Sequence, residues 1–351
     1  MMWVHGMSSR QARTKVIISV DTETSMGGAW KYPARRPLSI DQRIFCKQGD
    51  EAWGISLITQ ILRQHGMRAT FFCEMLAAEV LGVGETERYV HYLMEQGQDV
   101  QLHAHPTFWF YARHLESRAG SASIRRLPPQ SDQCSALAPE LVRELLELGC
   151  DYFQRFSGER PAAFRAGGYS ADQATLRVLR DLGIKIDSSY NPAFRHDNSF
   201  ATSPLPANHI QLVECVWEFP VTVFHMTYPQ NGGLMPFEIS AISLREMKMV
   251  LEHAHRTGIE AVVAVLHSFS LVKPKDIFYS RFRLDRLVAR RLRQFARYLA
   301  ENTDKFEVTT FATIAREGIH EKQPPETMAH VGLLAPVMRK AVQAMNRLYW
   351  V

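Results

Sequence analysis

An aspartate and a glutamate separated by one threonine, Asp21-Thr22-Glu23, end the first β-branched apolar run of the chain, KVIISV at residues 15–20. Side chains alternate across a strand, so Asp21 and Glu23 share a side and Thr22 takes the other. Two carboxylates so placed can divide labour, one holding a metal and one acting as general base. The plainer alternative is capping of the loop that follows. His103-Ala104-His105-Pro106 repeats the spacing after the apolar start of a strand at residues 99–102. Two imidazoles on one face suit zinc or a related ion, and an open metal site needs only three protein ligands beside water.

Three further clusters follow predicted strands. Phe164-Arg165-Ala166-Gly167-Gly168-Tyr169 offers a guanidinium that could fix a carboxylate through a bidentate pair, then glycines that let the backbone turn sharply or approach a ligand. Asp187-Ser188-Ser189-Tyr190 gathers polar groups after a short strand, and His267 closes the apolar run EAVVAVL at residues 260–266. Histidine is the residue type whose intrinsic pKa suits donating a proton near neutrality. Each cluster alone has a structural explanation. Five in succession at the same end of successive strands point to one site, because α/β enzymes place theirs at the C-terminal ends of parallel strands.

The elements that must position these residues alternate between strand and helix. Strands are expected at residues 15–20, 69–73, 99–102, 162–164, 184–187, 216–223, 260–266 and 306–309. Helices are expected at 55–65, 86–96, 139–156, 172–182, 244–256 and 286–302. Residues 109–136 read as a Ser, Pro and Arg-rich surface insertion. Short apolar strands alternating with helices predict a parallel sheet covered on both faces. Periodicity leaves open whether it is flat or closed.

The 351 residues are 46% hydrophobic and 22% charged, ordinary globular values that argue against disorder. A net charge of +5 with no basic-aromatic interleaving gives no sign of a nucleic-acid partner. Much of the excess lies in residues 281–297, where seven arginines face one Asp285; such a run is usually the solvated face of a helix and could also meet an anionic headgroup or phosphate. Five scattered cysteines suggest neither a disulfide framework nor a thiolate zinc site, and Cys73 and Cys215 read as buried packing residues. The first fourteen residues lack the apolar core of a secretory signal, Met7 is an alternative start, and the cytoplasm is the expected address.

The segments SVDTE, LHAHP, FRAGGYS, DSSYNP and VLHSF, spread from about Val16 to about Ile314, resemble the polysaccharide deacetylase family, also called the NodB-homology family or carbohydrate esterase family 4. The resemblance implies an α/β fold, a distorted (β/α)7 barrel, here at residues 15–318 after an extension at 1–14, with a helical C-terminal tail at 319–351. It also implies a divalent metal, zinc by the donor set, and removal of N-acetyl groups from an amino-sugar glycan or its precursor. Asp21 then matches the base, Glu23 and His103 metal ligands, Arg165 the arginine orienting the base, and His267 the general acid. Gly168, Tyr169, Asp187 and Trp109 are the expected substrate contacts, with Trp30 and Phe108 as further aromatics near the site.

Two departures mark a divergent branch. D-x-E stands where many members have adjacent aspartates, and Thr107 occupies the place of their second histidine, so His105 is the expected third ligand. Glu218 is the candidate acidic partner of His267. The competing expectations are an amidase of a non-sugar amide and a catalytically silent, glycan-binding barrel. Beyond a break at Lys322-Gln323-Pro324-Pro325, the tail at residues 331–351 has helical spacing that either packs on the protein or rests peripherally on an anionic membrane.

Overall fold

The run that ends in Asp21 lies at the centre of the molecule, hydrogen-bonded to other strands on both sides. The computed structural model describes residues 12–32, 34–119, 132–194, 200, 204–227, 233–320, 328–332 and 334–348. Residues 1–11 with Met7, residues 120–131 of the polar insertion and the Lys322–Pro325 break fall outside them.

The strands, in chain order, are β1 (Thr14–Thr22), β2 (Thr70–Glu74), β3 (Asp99–Ala104), β4 (Ala163–Ala166), β5 (Ile186–Asp187), β6 (Gln211–Val213), β7 (Val216–Glu218), β8 (Val223–Met226), β9 (Leu234–Pro236), β10 (Ala261–His267), β11 (Phe306–Thr309) and β12 (His330–Val331), with two small hairpins left unnumbered. Nine form one sheet in the order β10-β1-β2-β3-β4-β5-β7-β6, and β11 pairs with the lower half of β1. All are parallel except β6, which returns antiparallel to β7. The sheet curls into a half-barrel of the (β/α) type, the expected fold class.

Period-two alternation separates its two faces. Val16, Ile18 and Val20 belong to the large core that also takes in Phe71, Leu102, Phe164 and Leu266, packed under the helices. Ile17, Phe72, Ala163, Ile186 and Val263 form a second cluster on the inner face, closed below by Phe311 and Ile314 of the helix Phe311–Glu317. Each large apolar side chain so buried contributes about 1.5–3 kcal/mol relative to exposure. The same inner column continues upward from Ile17 through Ser19 to Asp21, and from Val263 to His267. Cross-strand register brings Asp21 level with His267, Glu74 with His103, and His103 with Arg165.

Several expectations require correction. Residues 109–119 belong to a helix, Pro106–Ala119, not to a loop. Pro106 sits at its first position, where the missing N–H costs nothing, and Phe108, Tyr111 and Ala112 supply a buried face. The single strand expected at 216–223 is two, β7 and β8, which lie in different sheets because Pro220 cannot donate to the ladder. Cys215 is exposed, since Glu214 and Cys215 form the left-handed two-residue turn between β6 and β7. Cys73 is buried as expected, and burial pushes its thiol well up.

The C-terminal segment folds back on the body. β12 pairs with β8, and in the helix Leu334–Leu348 the Arg339 guanidinium meets the buried Glu246 carboxylate at 3.1 Å. No helix among the described residues is long and apolar enough to cross a membrane.

Candidate metal centre

Glu23 stands one residue beyond β1, His103 near the end of β3 and His105 just past it. Their ligand atoms lie within 4.8 Å of one another. The Glu23 Oε2 is 3.2 Å from His103 Nε2 and 2.6 Å from His105 Nε2. The far side of each ring is held. His103 Nδ1 lies 2.7 Å from the Arg165 carbonyl, and His105 Nδ1 lies 3.1 Å from the Asp132 carboxylate. A carbonyl and a carboxylate only accept, so both Nδ1 atoms carry protons. When the rings are neutral, both Nε2 lone pairs converge on the Glu23 oxygen, the arrangement of imidazoles fixed by outer partners for a metal. The N2O donor set fits zinc among divalent ions.

Electrostatics favour positive charge at this point. Burial opposes ionisation of Glu23, but His105 and His103 outweigh it and hold the carboxyl well below its usual range. Burial likewise opposes charge on His105, but Asp132 and Glu23 outweigh it and raise the imidazole. Arg43 adds a cation 3.8 Å from the other Glu23 oxygen, while stacking 3.5 Å over the Phe269 ring.

Asp21 is held alongside. It accepts from Arg165 Nη1 at 2.7 Å, and its other oxygen is 3.9 Å from His267 Nε2. The contact is through one guanidinium nitrogen rather than the expected bidentate pair, because Arg165 is spent elsewhere. It is fully buried and also donates to Ser19 Oγ, the Ser188 carbonyl and Ser188 Oγ. Its plane lies 4.3 Å over Phe72. Such a network leaves the guanidinium one orientation and Asp21 one rotamer.

The glycine pair has two separate uses. A Cβ on Gly167 would stand 2.5 Å from the His105 ring, so this position lets the imidazole pack against bare backbone. Gly168 and Tyr169 then both adopt left-handed backbone, φ 59° and 58°. In the non-glycine Tyr169 this costs about 1–2 kcal/mol. The turn presents the Tyr169 ring stacked on Phe194, centroids 5.8 Å apart.

The other expected contacts separate. Asp187 is fully buried, bonded to the Ser189 N–H and Oγ, and away from the mouth. Glu218 is fully buried beside it and accepts from the Tyr190 N–H, making no hydrogen bond or ion pair with His267. Trp109 packs on the large core under Arg113, and Phe108 is buried. Trp30 does reach the mouth, where its indole N–H donates to Thr107 Oγ1 at 2.9 Å.

Two residues join the site that the sequence reading passed over. Asp132 orients His105 and also accepts from the Thr107 N–H at 3.2 Å. Glu74 ends β2 on the inner face and accepts from the N–H groups of Leu76 and His105. Burial pushes its carboxyl up to about 8, against the pull of His105. Glu74 obeys the rule that exposed the others, a polar residue closing an apolar strand; Asp132 carries no local signal.

No protein-family model matches the sequence, and no curated protein does. Solved structures do. A candidate glycoside hydrolase/deacetylase from Parabacteroides distasonis superposes with a TM-score of 0.51 at 12% identity, over 91% of this chain and 75% of that one. A candidate polysaccharide deacetylase from Mycobacterium smegmatis gives 0.47 at 14% identity, over 93% and 98%. A family 4 carbohydrate esterase pseudoenzyme from Bacillus anthracis gives 0.41 at 10% identity, over 92% and 70%. At such identities the likeness establishes the fold alone, and the curled (β/α) barrel of this chain is shared with the first of these proteins.

Proposed function

We propose that this chain is a metal-dependent hydrolase of the polysaccharide deacetylase type, removing N-acetyl groups from an amino-sugar glycan or glycan precursor. The observation that carries the reading is the convergence of two tautomer-fixed imidazoles and a carboxylate, next to an arginine-clamped aspartate facing a histidine. The barrel at residues 15–318 would carry the chemistry. Glu23, His103 and His105 would hold a divalent ion, most suitably zinc, which when bound supplies Lewis acidity toward water and the acyl carbonyl.

The chain's own groups do the rest. Asp21, aimed by Arg165, takes the proton of the attacking water. The Tyr169 N–H, on the left-handed turn beside His105, donates to the oxyanion that develops on the acyl oxygen. His267 gives a proton to the departing amine, which otherwise leaves poorly. Trp30 and the Tyr169–Phe194 stack offer apolar faces to a sugar ring. The products are acetate and a free amino sugar.

Acetate release from N-acetylated sugar oligomers by zinc-reconstituted protein tests the reading. Asp21→Asn is expected to lower turnover by about 10²–10⁴-fold while leaving bound metal unchanged. Undiminished turnover in that variant would sink the base assignment. Metal-loaded wild type that releases no acetate from any N-acetylated sugar would sink the substrate.

A further inference from the structure

The arginine-rich segment does not serve the site. In the helix Arg286–Glu301 the buried face is Val288, Ala289, Leu292, Phe295, Ala296 and Leu299. Arg291, on that side, donates to the Ser240 carbonyl at 2.8 Å. Arg286, Arg290, Arg293 and Arg297 follow at intervals of four, three and four residues, which stacks them on one outward face. All four are exposed, and none forms an ion pair or hydrogen bond among the described residues. A solvated charged helix is ordinarily laced with acids three or four residues away. This helix has a single one, Glu301, at its far end.

Beside it runs the helix Leu334–Leu348, whose Leu334, Met338 and Val342 recur one turn apart and are exposed by 60%, 53% and 37%. A cleft of about 230 Å³ lies between the two helices, lined by Leu287 and Arg290 on one wall and by Met338 and Val342 on the other. Arg245 also opens into it and is itself exposed. Segments distant in sequence thus build one surface, an apolar ridge flanked by unpaired guanidinium groups. A soluble anion would use the charges and leave the ridge idle. An apolar partner would use the ridge and leave the charges unpaired. A bilayer surface with acidic headgroups uses both, since side chains like these enter the acyl boundary while guanidinium groups meet phosphate above it.

We propose that this face docks the protein on a membrane rich in anionic lipid, with Leu334, Met338 and Val342 entering the acyl boundary and Arg286, Arg290, Arg293 and Arg297 meeting headgroup phosphates. The inference stands apart from the catalytic reading, because none of these residues belongs to the metal centre.

Flotation of the full chain with vesicles of phosphatidylcholine alone, or mixed equally with phosphatidylglycerol, tests it. The protein is expected to float with the mixed vesicles and not with the neutral ones. Arg290→Gln, Arg293→Gln and Arg297→Gln together should weaken partitioning by about 100-fold, roughly five-fold per charge. Leu334→Ser with Met338→Ser should weaken it at least about ten-fold at unchanged charge. These side chains are exposed, so unchanged circular dichroism and unchanged acetate release from a soluble substrate are expected in both variants. The proposal is overturned if the wild type ignores anionic vesicles, or if only the arginine variant loses binding, which would mean plain electrostatic adsorption. It is overturned equally if the wild type sediments as a dimer that the Leu334→Ser/Met338→Ser variant disperses while neither binds vesicles, since the ridge would then be a contact between copies.

Discussion

Two groups of ionisable side chains close strands of the same sheet. At the exits of β1 and β3, Glu23, His103 and His105 converge, and Glu23 and His105 remain partly accessible. Further round the sheet, Asp187 ends β5 and Glu218 ends β7, level in register and fully buried. The first group brings charge together at a point left partly open to the outside. The second suppresses charge: burial raises both carboxyls, and the neighbouring Asp187 raises Glu218 further, while the hydrogen bond with Glu218 works against the rise at Asp187. The sealed pair still serves the open one. Ser188 lies between Asp187 and Ser189, accepts from Arg165, and donates its own Oγ to the Phe219 carbonyl at 2.8 Å. Arg165 in turn fixes Asp21. A polar residue at a strand end is therefore not by itself a functional residue; what matters is whether the cluster it joins opens to the outside, as Glu23 and His105 open the one that holds the buried His103.

The widest separation between the two groups should appear in metal content. His103→Ala or His105→Ala is expected to remove bound zinc almost entirely, measured by elemental mass spectrometry on purified protein, while Glu218→Gln retains the wild-type amount. Equal loss in Glu218→Gln would mean that the buried pair takes part in holding the ion. A smaller effect is expected one step outward. Asp132→Ala leaves His105 Nδ1 unheld and should weaken zinc affinity about 10–100-fold in competition with a chelator. No change there would place the orientation of His105 under the control of its own helix start.

Smaller again is Gly167→Ala. Its new methyl must displace either the turn or the His105 ring 2.5 Å away. A loss of about 1–3 kcal/mol in urea unfolding is expected, with weakened zinc binding. Unfolding stability unchanged and zinc affinity unchanged would show that the ring moves aside without cost.

Much of this was legible before any coordinates. The i, i+2 rule put Asp21 with Glu23 and His103 with His105, because the chain stays extended for a residue past each strand end. The longer helical and strand runs were visible from periodicity, but the helix Pro106–Ala119, whose cluster of aromatics masked its amphipathic spacing, the helix Phe311–Glu317, the short strands β6, β9 and β12 and the break between β7 and β8 were not. Cross-strand information was not legible. Register decides that Asp21 faces His267 and that the Arg165 carbonyl caps His103, and no single segment states its register. Depth was equally hidden: Asp187 and Glu218 are sealed among fully buried groups, whereas Asp21, itself buried, lies beside the partly accessible His267. Asp132 reaches His105 across 27 positions, through a stretch whose composition reads as an insertion.

The last test bears on the sealed pair alone. In the unfolded chain Glu218 releases its proton at an ordinary glutamate pKa, whereas in the fold burial and Asp187 hold the proton on well above that. A carboxyl raised in this way contributes its full stabilisation below the unfolded pKa and loses it as pH climbs through the folded one. The stabilisation that Glu218 contributes should therefore be lost as pH climbs from mildly acid toward alkaline. The amide that Glu218→Gln introduces keeps an acceptor for the Tyr190 N–H and gains a donor for Asp187, without a proton to lose. Urea unfolding midpoints of Glu218→Gln should match the wild type at acid pH and exceed it increasingly at alkaline pH, flattening that part of the slope. Parallel pH profiles for the two proteins would mean that Glu218 ionises as easily in the fold as outside it. The buried pair would then be a second charged site, and its contrast with the metal centre would be one of access alone.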